Sequence, residues 1–405
     1  MELFKQLELY RWRQIENINL EFCENLCVLT GPNGCGKTTI LNVLGRHFGW
    51  NVHFVSTPFM SKKKKKKFWT DVWEAIEKDF EIDNQSTQVG SIEYLSGHKC
   101  VLMTPNLAEP QYILQYNNQK GVVGLHIPSH RPVVNYQNIQ TIPTDPKNNQ
   151  QHFEEFRQLL FKTYGADTVR NPGAVLKQSL VALAVFGYGS ESVVPNHEYR
   201  ELFEKFQEIL RIILPKEIGF ERLEIRMPDI VLITKSGDFS LDAMSGGIGD
   251  ILGMAWQIHM YGADKKNCTV LIDEPENHLH PSMQRNFLPS FRVAFPDYRF
   301  IVATHSPFIV SSEPKAAIYA LLFNENKKVI SERLSGADLA ASPNKILREI
   351  LDVPTVLPIW VEKRIKEVLG KYSDIELSDD NATQIYAELQ EIGLSESIGE
   401  FTSME

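Results

Sequence analysis

The chain has 405 residues, of which 43% are hydrophobic and 23% charged, a globular composition with room for one large core or two packed lobes. Its net charge of −9 argues against a general polyanion-binding protein, and the lack of any run of about 18 apolar residues argues against a membrane span. The five cysteines follow no disulfide or zinc spacing, and the charged start MELFKQLELY does not resemble a signal peptide, so we expect a cytoplasmic protein with reduced thiols.

The first motif with chemical content lies between a predicted strand and a predicted helix. Leu26–Thr30 is a short apolar run typical of a buried strand, and residues 39–44 continue as a helix. Between them, GPNGCGKT fits the phosphate-binding pattern G-x-x-x-x-G-K-[ST], in which Lys37 reaches the β- and γ-phosphates and Thr38 offers its hydroxyl to Mg²⁺. The predicted nucleotide-binding cradle comprises Gly31, Pro32, Asn33, Gly34, Cys35, Gly36, Lys37, Thr38 and Thr39.

Residues 51–215 are predicted to form an inserted lobe. Residues 51–147 mix short strands with loops, and residues 148–215 show helical periodicity, with one apolar face made of Phe203, Phe206, Leu210 and Ile213. Six adjacent lysines, Lys62 to Lys67, repel one another and are expected in a solvated loop. Three interpretations of this run stay open: a flexible loop without a role, contact with DNA phosphates, or docking of an acidic partner.

A second phosphate-binding element is predicted after a hairpin at residues 227–241. Ser245 stands as the N-cap of a helix, with the bare backbone of Gly246 and Gly247 beside it. The N-terminus of such a helix attracts phosphate. Because the cradle already surrounds the phosphates, one compact chain cannot easily offer both elements to one nucleotide. Two chains arranged head to tail can offer the cradle of one chain and the Ser245 helix of the other.

Two further apolar runs end in groups suited to hydrolysis. CTVLIDE reads as a buried parallel strand with Asp273 and Glu274 at its carboxyl end, where Asp273 would hold Mg²⁺ and Glu274 would act as general base. FIVATHS places His305 after another strand, as a candidate contact to the γ-phosphate. In HLHP, His278 and His280 could chelate a metal, but no further ligand set supports that interpretation.

Taken together, these motifs resemble one family. The cradle GPNGCGKTT, the signature MSGGIGD, the strand LIDEPE and the switch ATHS occur in the order of ATP-binding-cassette (ABC) ATPases. The stretch LELYRWRQIENINLEFCENLCVLTGPNGCGKTTIL and the phrase DEPENHLHP are similar to the SMC, RecF and OLD branch, which consists of AAA-family ATP-binding proteins, and not to transporters. The resemblance covers roughly residues 1–50 and 220–325 well.

The resemblance implies a fold and a domain organisation. We expect an α/β fold in which residues 1–50 and 216–343 form an ABC-type P-loop NTPase head with a mixed-sheet core. Residues 51–215 would be an inserted lobe of strands and helices, and residues 344–405 a helical C-terminal extension.

The resemblance also implies that ATP and Mg²⁺ lie between two protomers. Asn277 would lie in a loop that crosses the dimer interface. Each ATP would contact one protomer through the catalytic residues Lys37, Glu274 and His305 and the metal ligands Thr38 and Asp273, and the other protomer through Ser245, Gly246 and Gly247.

Three features depart from this branch. The residues between cradle and signature show no sustained heptads, so a long coiled coil is not expected. The glutamine that usually contacts the γ-phosphate and Mg²⁺ is not obvious, and Gln137 and Gln140 are the candidates. OLD proteins carry a nuclease after the ATPase, whereas Ser378-Asp379-Asp380 in this tail reads as a solvated turn or helix cap. Any effector chemistry is therefore expected from another protein.

The predicted function is that of an ATP-dependent, dimerising ATPase. It would form a homodimer or higher homo-oligomer and control a separate effector, a nuclease, and it resembles the ATPase subunits of prokaryotic anti-phage defence systems such as Septu and PARIS. No membrane partner is expected. Two alternatives stay open: a RecF-like ATPase that binds DNA in repair or recombination, and a nucleotide-gated scaffold with negligible turnover.

Overall fold

The computed structural model describes most of the chain in two compact units, Met1–Ile346 and Leu347–Glu405. The described residues are 2–22, 25–60, 66–73, 86–106, 108–131, 136, 138–164, 171–335, 343–351, 358–371, 384–385 and 387–390.

The first unit is built around an 11-stranded mixed sheet in the order β10-β8-β7-β1-β2-β18-β17-β3-β16-β15-β11. Neighbouring strands are parallel from β17 to β11 and antiparallel from β10 to β2, so the predicted α/β class with a mixed sheet is confirmed. The strands are β1 Phe4–Trp12, β2 Ile15–Glu21, β3 Leu26–Thr30, β4 Phe54–Val55, β5 Thr57–Met60, β6 Lys66–Trp69, β7 Ser86–Tyr94, β8 Lys99–Pro105, β9 Gln111–Tyr112, β10 Gln115–Asn117, β11 Gly124–Ile127, β12 Phe220–Arg226, β13 Asp229–Thr234, β14 Phe239–Ser240, β15 Thr269–Asp273, β16 Arg299–Ala303, β17 Ala317–Phe323 and β18 Val329–Arg333.

Three central strands bring the predicted motifs to one edge of this sheet. Every residue of β3 and β15, and all but the first of β16, is buried, because a parallel sheet covered on both faces requires continuous apolar strands. Ala303 pairs with Leu29 on one side and with Asp273 on the other. The cradle, the two carboxylates and the switch therefore follow strands that end at the same level, as predicted.

The helices cover the sheet and form a helical layer around the signature segment. The helices α2, α3 and α4 all contact α5, with Phe156 against Trp256 and Phe206 stacked on His259 at ring-centroid distances of 5.1 Å and 5.8 Å. The helices are α1 Lys37–Gly45, α2 Asn149–Tyr164, α3 Pro172–Tyr188, α4 His197–Ile213, α5 Gly246–Gly262, α6 Pro281–Ala294, α7 Pro307–Val310, α8 Pro343–Glu349 and α9 Ile359–Gly370.

The segment 51–215 contributes to the main sheet as well as to the helical layer. Its strands β7, β8, β10 and β11 pair within the 11-stranded sheet, and residues 148–215 are largely helical, as predicted. The apolar face of α4 predicted from Phe203, Phe206, Leu210 and Ile213 is buried. The domain boundaries at residues 50 and 215 stay predictions, because Met1–Ile346 forms one compact unit.

The hairpin and the tail follow their predicted secondary structure where the structure describes them. Strands β12, β13 and β14 form a small antiparallel sheet, with the predicted turn between β13 and β14. In the tail, α8 and α9 are helical, as predicted for the C-terminal extension, and much of the rest of the tail lies outside the described residues. None of the helices in the described ranges combines the length and the apolar character needed to cross a bilayer.

Candidate functional site

The cradle follows β3 directly and takes a conformation that its glycines permit. Gly31, Gly34 and Gly36 have φ values of 137°, 81° and 97°, a region that residues with a Cβ rarely adopt. At Gly31, a Cβ would also meet the carbonyl oxygen of Leu321 at 2.3 Å. Gly36 is the N-cap of α1, so the first N–H groups of this helix have no partner within the helix. Such a loop presents backbone N–H groups to a phosphate.

Lys37 is the first residue of α1 and lies over the loop. Its side chain is buried, and its ammonium donates hydrogen bonds to the carbonyls of Gly31 at 2.8 Å and Pro32 at 3.0 Å. Burial lowers the pKa of Lys37 and raises the pKa of the Cys35 thiol, which lies 3.5 Å from the ammonium. Cys35 is therefore a packed thiol. Charged phosphate oxygens are stronger hydrogen-bond acceptors than these neutral carbonyls. The phosphates of a bound nucleotide can therefore replace the carbonyls as acceptors of the Lys37 ammonium.

Thr38 and Asp273 meet where α1 faces the end of β15. The Thr38 hydroxyl donates to Asp273 Oδ2 at 2.9 Å, and Asp273 Oδ1 is buried without a hydrogen-bond partner among the described residues. Burial raises the pKa of Asp273 to about 6, although the Thr38 hydrogen bond lowers it. Hydroxyl and carboxylate oxygens are the ligands that Mg²⁺ prefers. The unpartnered buried oxygen therefore fits a magnesium ion held by Thr38 and Asp273.

Glu274 is oriented by two neighbouring polar side chains. Its backbone has a φ of 47°, and its carboxylate accepts a hydrogen bond from Asn277 Nδ2 at 3.2 Å. His305 Nε2 lies 3.5 Å from the other oxygen of Glu274. Burial, followed by the nearby Lys37 ammonium, lowers the pKa of His305. The structure thus brings both predicted catalytic side chains together, at about one-third exposure each.

Glu276 is a third acid of this edge, and sequence reasoning gave it no role in hydrolysis. Its carboxylate accepts a hydrogen bond from the backbone N–H of His305 at 2.5 Å, and burial raises its pKa. It therefore holds the end of the switch strand against the loop that follows β15. The sequence contained a signal for this role. Glu276 follows Asp273 and Glu274 closely in DEPEN, and three acids near the end of a buried strand require polar partners.

The signature helix α5 begins at Gly246, with Ser245 as its N-cap, as predicted. The Ser245 side chain makes no capping hydrogen bond, and Ser245 and Gly246 are exposed. Gly247 is buried because it lies on the loop after β15, where a Cβ would meet the His278 carbonyl oxygen at 2.5 Å. Within the described ranges, no hydrogen bond joins residues 245–247 to the cradle of the same chain.

Arg131 contacts both the signature helix α5 and the end of β15, a role that the sequence did not predict. Its guanidinium donates to the carbonyls of Asp273 at 3.4 Å and Glu274 at 3.1 Å, and its Nε lies 3.4 Å from the Asp250 carboxylate in α5. The same carboxylate contacts His278 Nδ1 at 2.9 Å. Arg131 follows β11 by a few residues in a stretch without periodicity, so only its position beside β15 in the fold reveals its partners.

Comparison with known proteins agrees with this geometry. A family model described as "AAA domain, putative AbiEii toxin, Type IV TA system" matches residues 164–311, and a second, "AAA domain", matches residues 6–162. The predicted resemblance to AAA-family ATP-binding proteins is thus confirmed over both matched regions. The two matches include the stretch between cradle and signature, where the resemblance by motifs alone was poor.

The chain is also similar to two proteins of named bacterial systems. The Septu protein PtuA of Bacillus thuringiensis is 23% identical over 387 residues, which are 89% of this chain and 87% of that protein. The Retron Ec83 probable ATPase of Escherichia coli is 27% identical over 41% of this chain and 31% of its own length. An Smc head domain from Pyrococcus furiosus with an extended coiled coil, solved bound to the C-terminal domain of ScpA, shows 13% identity and a TM-score of 0.42 over 86% of this chain and 100% of that chain.

The remaining predicted site residues of the ATPase have other partners or lie outside the described residues. His278 pairs with Asp250, and His280 caps α6 by accepting from the Ser282 N–H, so both have structural roles. Gln140 is exposed, and it is Gln14 that contacts the cradle, donating to the Gly34 carbonyl at 2.9 Å. Outside the described residues lie Gln137, Lys62 to Lys65, and Ser378, Asp379 and Asp380, while Lys66 and Lys67 begin β6.

Proposed function

We propose that two copies of this ATPase close head to tail around ATP and Mg²⁺ and that hydrolysis opens them again. The observation that supports this most directly is the signature: Ser245 and Gly246 are exposed at the start of α5, and their N–H groups are not engaged by the cradle of their own chain. A helix N-terminus with open N–H groups is an anion-binding element. A second copy, with ATP in its cradle, supplies the anion.

The proposed chemistry assigns one task to each side chain of the catalytic edge. Lys37 binds the β- and γ-phosphates, and Thr38 and Asp273 would hold Mg²⁺, which would neutralise phosphate charge. Glu274 accepts a proton from the attacking water, and Asn277 keeps the Glu274 carboxylate in place.

His305 completes this edge. Because its pKa is lowered, it remains a neutral imidazole at neutral pH and can donate a hydrogen bond to the γ-phosphate without an ion pair to Glu274. The 3.5 Å separation from Glu274 leaves both side chains close to the space in which water would attack.

The proposed biological role is control of a separate effector, a nuclease, in anti-phage defence. The match to the Septu protein PtuA over 87% of its length supports this role, as does the shorter match to the retron ATPase. In this proposal the effector responds to the closed or open state of the ATPase pair.

The two-chain site is tested by Ser245→Arg beside Lys37→Ala. Arginine at the exposed signature position keeps that signature from binding the opposing ATP but leaves the cradle of its own chain intact, so ATP affinity should stay within about twofold while hydrolysis is abolished. Lys37→Ala should lose ATP binding itself. If Ser245→Arg loses ATP affinity as completely as Lys37→Ala, the site does not consist of two chains.

The effector is tested with tagged Glu274→Gln protein, which should hold ATP in the closed state. The protein is isolated from host lysate with ATP and Mg²⁺, and its mass and co-purifying species are determined. A stoichiometric nuclease supports the defence role. A bare dimer with DNA, released by salt and by neutralising Lys66 and Lys67 with the rest of the run, supports the RecF-like alternative. Turnover that is unchanged by Glu274→Gln supports a scaffold.

A further inference from the structure

A buried lysine lies at the junction of the helical layer and the signature segment. Lys177 is in the middle of α3, within the apolar stretch VLKQSLVALAVF, and its side chain is 1% exposed. A lysine is almost never fully buried unless it is paired. The identity of its partners therefore shows why the chain keeps a charge at this position.

Lys177 binds two carboxylates at the two ends of the β13–β14 hairpin. Its ammonium donates to Asp229 Oδ1 at 2.5 Å and to Asp242 Oδ2. Burial opposes the charge, but the two hydrogen bonds outweigh it and raise the pKa of Lys177. The ammonium also lies 5.0 Å from the centre of the Tyr136 ring. The lysine is thus a cation that joins α3 to a hairpin distant from it in sequence.

Asp242 belongs to the short turn that leads into the signature. The 3₁₀ turn Leu241–Ala243 connects β14 to Ser245, and the Ser240 side chain accepts from the Asp242 N–H. Asp229 begins β13, which pairs with β14 through Val231 opposite Ser240. One ammonium therefore joins the start of β13, which pairs with β14, to the turn that follows β14. Asp242 in this turn lies three residues before Ser245.

A buried ion pair is a weak source of stability, since apolar residues of similar volume often serve as well. Its best-attested use is to select one arrangement of the chain over others. Because Asp242 lies between β14 and α5, this ion pair would select the conformation of the segment that connects them.

We propose that Lys177, through Asp242, is a positioning residue for the signature, holding the start of α5 in the orientation that meets the ATP of the second copy. This inference rests on the proposed two-chain site. It assigns Lys177 to the signature half of that site, because Asp242, one of its partners, lies in the turn that leads into the signature.

The inference predicts which defects can complement each other. Lys177→Met should keep ATP binding in its own cradle within about twofold and lose hydrolysis about tenfold or more, like Ser245→Arg. When it is mixed with Lys37→Ala, each mixed pair has one site made of an intact cradle and an intact signature. At a one-to-one ratio, half of the pairs are mixed, so about a quarter of the wild-type hydrolysis should return.

Two control mixtures separate this inference from the proposed function. Ser245→Arg with Lys37→Ala must recover activity if the site consists of two chains. Lys37→Ala with Glu274→Gln must not, because both defects lie in cradle halves. Recovery by the Lys177→Met mixture to the level of the Ser245→Arg mixture supports the positioning role. Recovery by the Ser245→Arg mixture alone overturns it while the two-chain site stands. If neither mixture recovers, the two-chain site and this inference fall together.

A matched pair of variants guards against a folding defect. Asp242→Asn and Asp229→Asn each remove one of the two carboxylates from Lys177, but only Asp242 lies in the turn before the signature. Asp242→Asn should lose hydrolysis and be rescued by Lys37→Ala, whereas Asp229→Asn should keep most of it. Circular dichroism shows whether Lys177→Met folds. If it does not fold, Asp242→Asn and Asp229→Asn replace it in the test. Equal losses in both variants overturn the positioning role.

Discussion

The close packing of α5 on the loop that follows β15 predicts opposite effects for two substitutions in α5. In Gly247→Ala, the new Cβ would lie 2.5 Å from the His278 carbonyl oxygen, about 0.9 Å closer than the 3.4 Å at which ordinary contact begins. In Gly253→Ala, the new Cβ would meet no atom within 4 Å. Both changes gain helix propensity, so the difference between them measures the contact alone.

The expected magnitudes follow from these distances. Gly253→Ala, in the helix interior, should stabilise the protein by about 1 kcal/mol. Gly247→Ala should lose more than it gains, because overpacking of this kind costs about 1–3 kcal/mol and a carbonyl of the backbone cannot rotate away as a side chain can. The two variants should therefore differ by about 2 kcal/mol in free energy of unfolding, with opposite signs relative to the wild type.

Urea denaturation without nucleotide is the appropriate assay. ATP binds only the folded state and would add its binding free energy to the measured stability, so a change in ATP affinity would alter the comparison. Intrinsic fluorescence can follow unfolding, because Trp256, fully buried in the same helix against Phe156, is one of the six tryptophans. If both variants shift the midpoint in the same direction by similar amounts, then α5 does not lie on the His278 backbone as described, and the reasoning is refuted.

Three further predictions concern chemistry and pH. Glu274→Gln should reduce hydrolysis about 10²- to 10⁴-fold and leave ATP affinity nearly unchanged, measured by phosphate release and nucleotide titration; a matching loss of affinity would contradict the role as base. Thr38→Val removes the hydroxyl beside Asp273, so the Mg²⁺ concentration for half-maximal hydrolysis should rise about tenfold, whereas Thr38→Ser should leave it unchanged. Burial lowers the pKa of His259 from 6.5 to about 4, so its contribution to stability is complete above pH 6.5 and lost as the pH falls towards 4, by about 1.4 kcal/mol per pH unit. His259→Gln should reduce the acid slope of the unfolding free energy by that amount, and an unchanged slope would refute the assignment.

The central strands and the catalytic edge could be predicted from the sequence because each motif carries its own local context. A buried strand followed by a glycine loop, or by two acids, has few other structures available, and parallel strands place their carboxyl ends together. The contacts Thr38 to Asp273 and Glu274 to His305 follow from that rule without knowledge of the strand order.

The contacts made by Arg131, Lys177 and Gln14 could not be predicted in the same way. Each joins elements that are distant in sequence, and pairing of such elements is set by packing of the whole sheet and not by local pattern. Lys177 offered a partial signal, since a single charge inside an apolar helical stretch implies a buried partner, but the stretch does not say which carboxylate. The participation of β7, β8 and β10 in the main sheet was missed for the same reason, because an antiparallel strand can pair with many neighbours.

Arg131 has a consequence for how the two nucleotides of the proposed pair influence one another. Its guanidinium contacts the backbone that carries Asp273 and Glu274, and also Asp250 in the helix that would reach the other copy's ATP. In the proposed pair, a shift at one nucleotide would thereby be transmitted to the second through a single side chain. Such allosteric coupling is reciprocal, so binding of the first ATP must change the affinity for the second by the same factor as the reverse. With identical chains the path runs in both directions, and the pair would respond to ATP concentration as a unit.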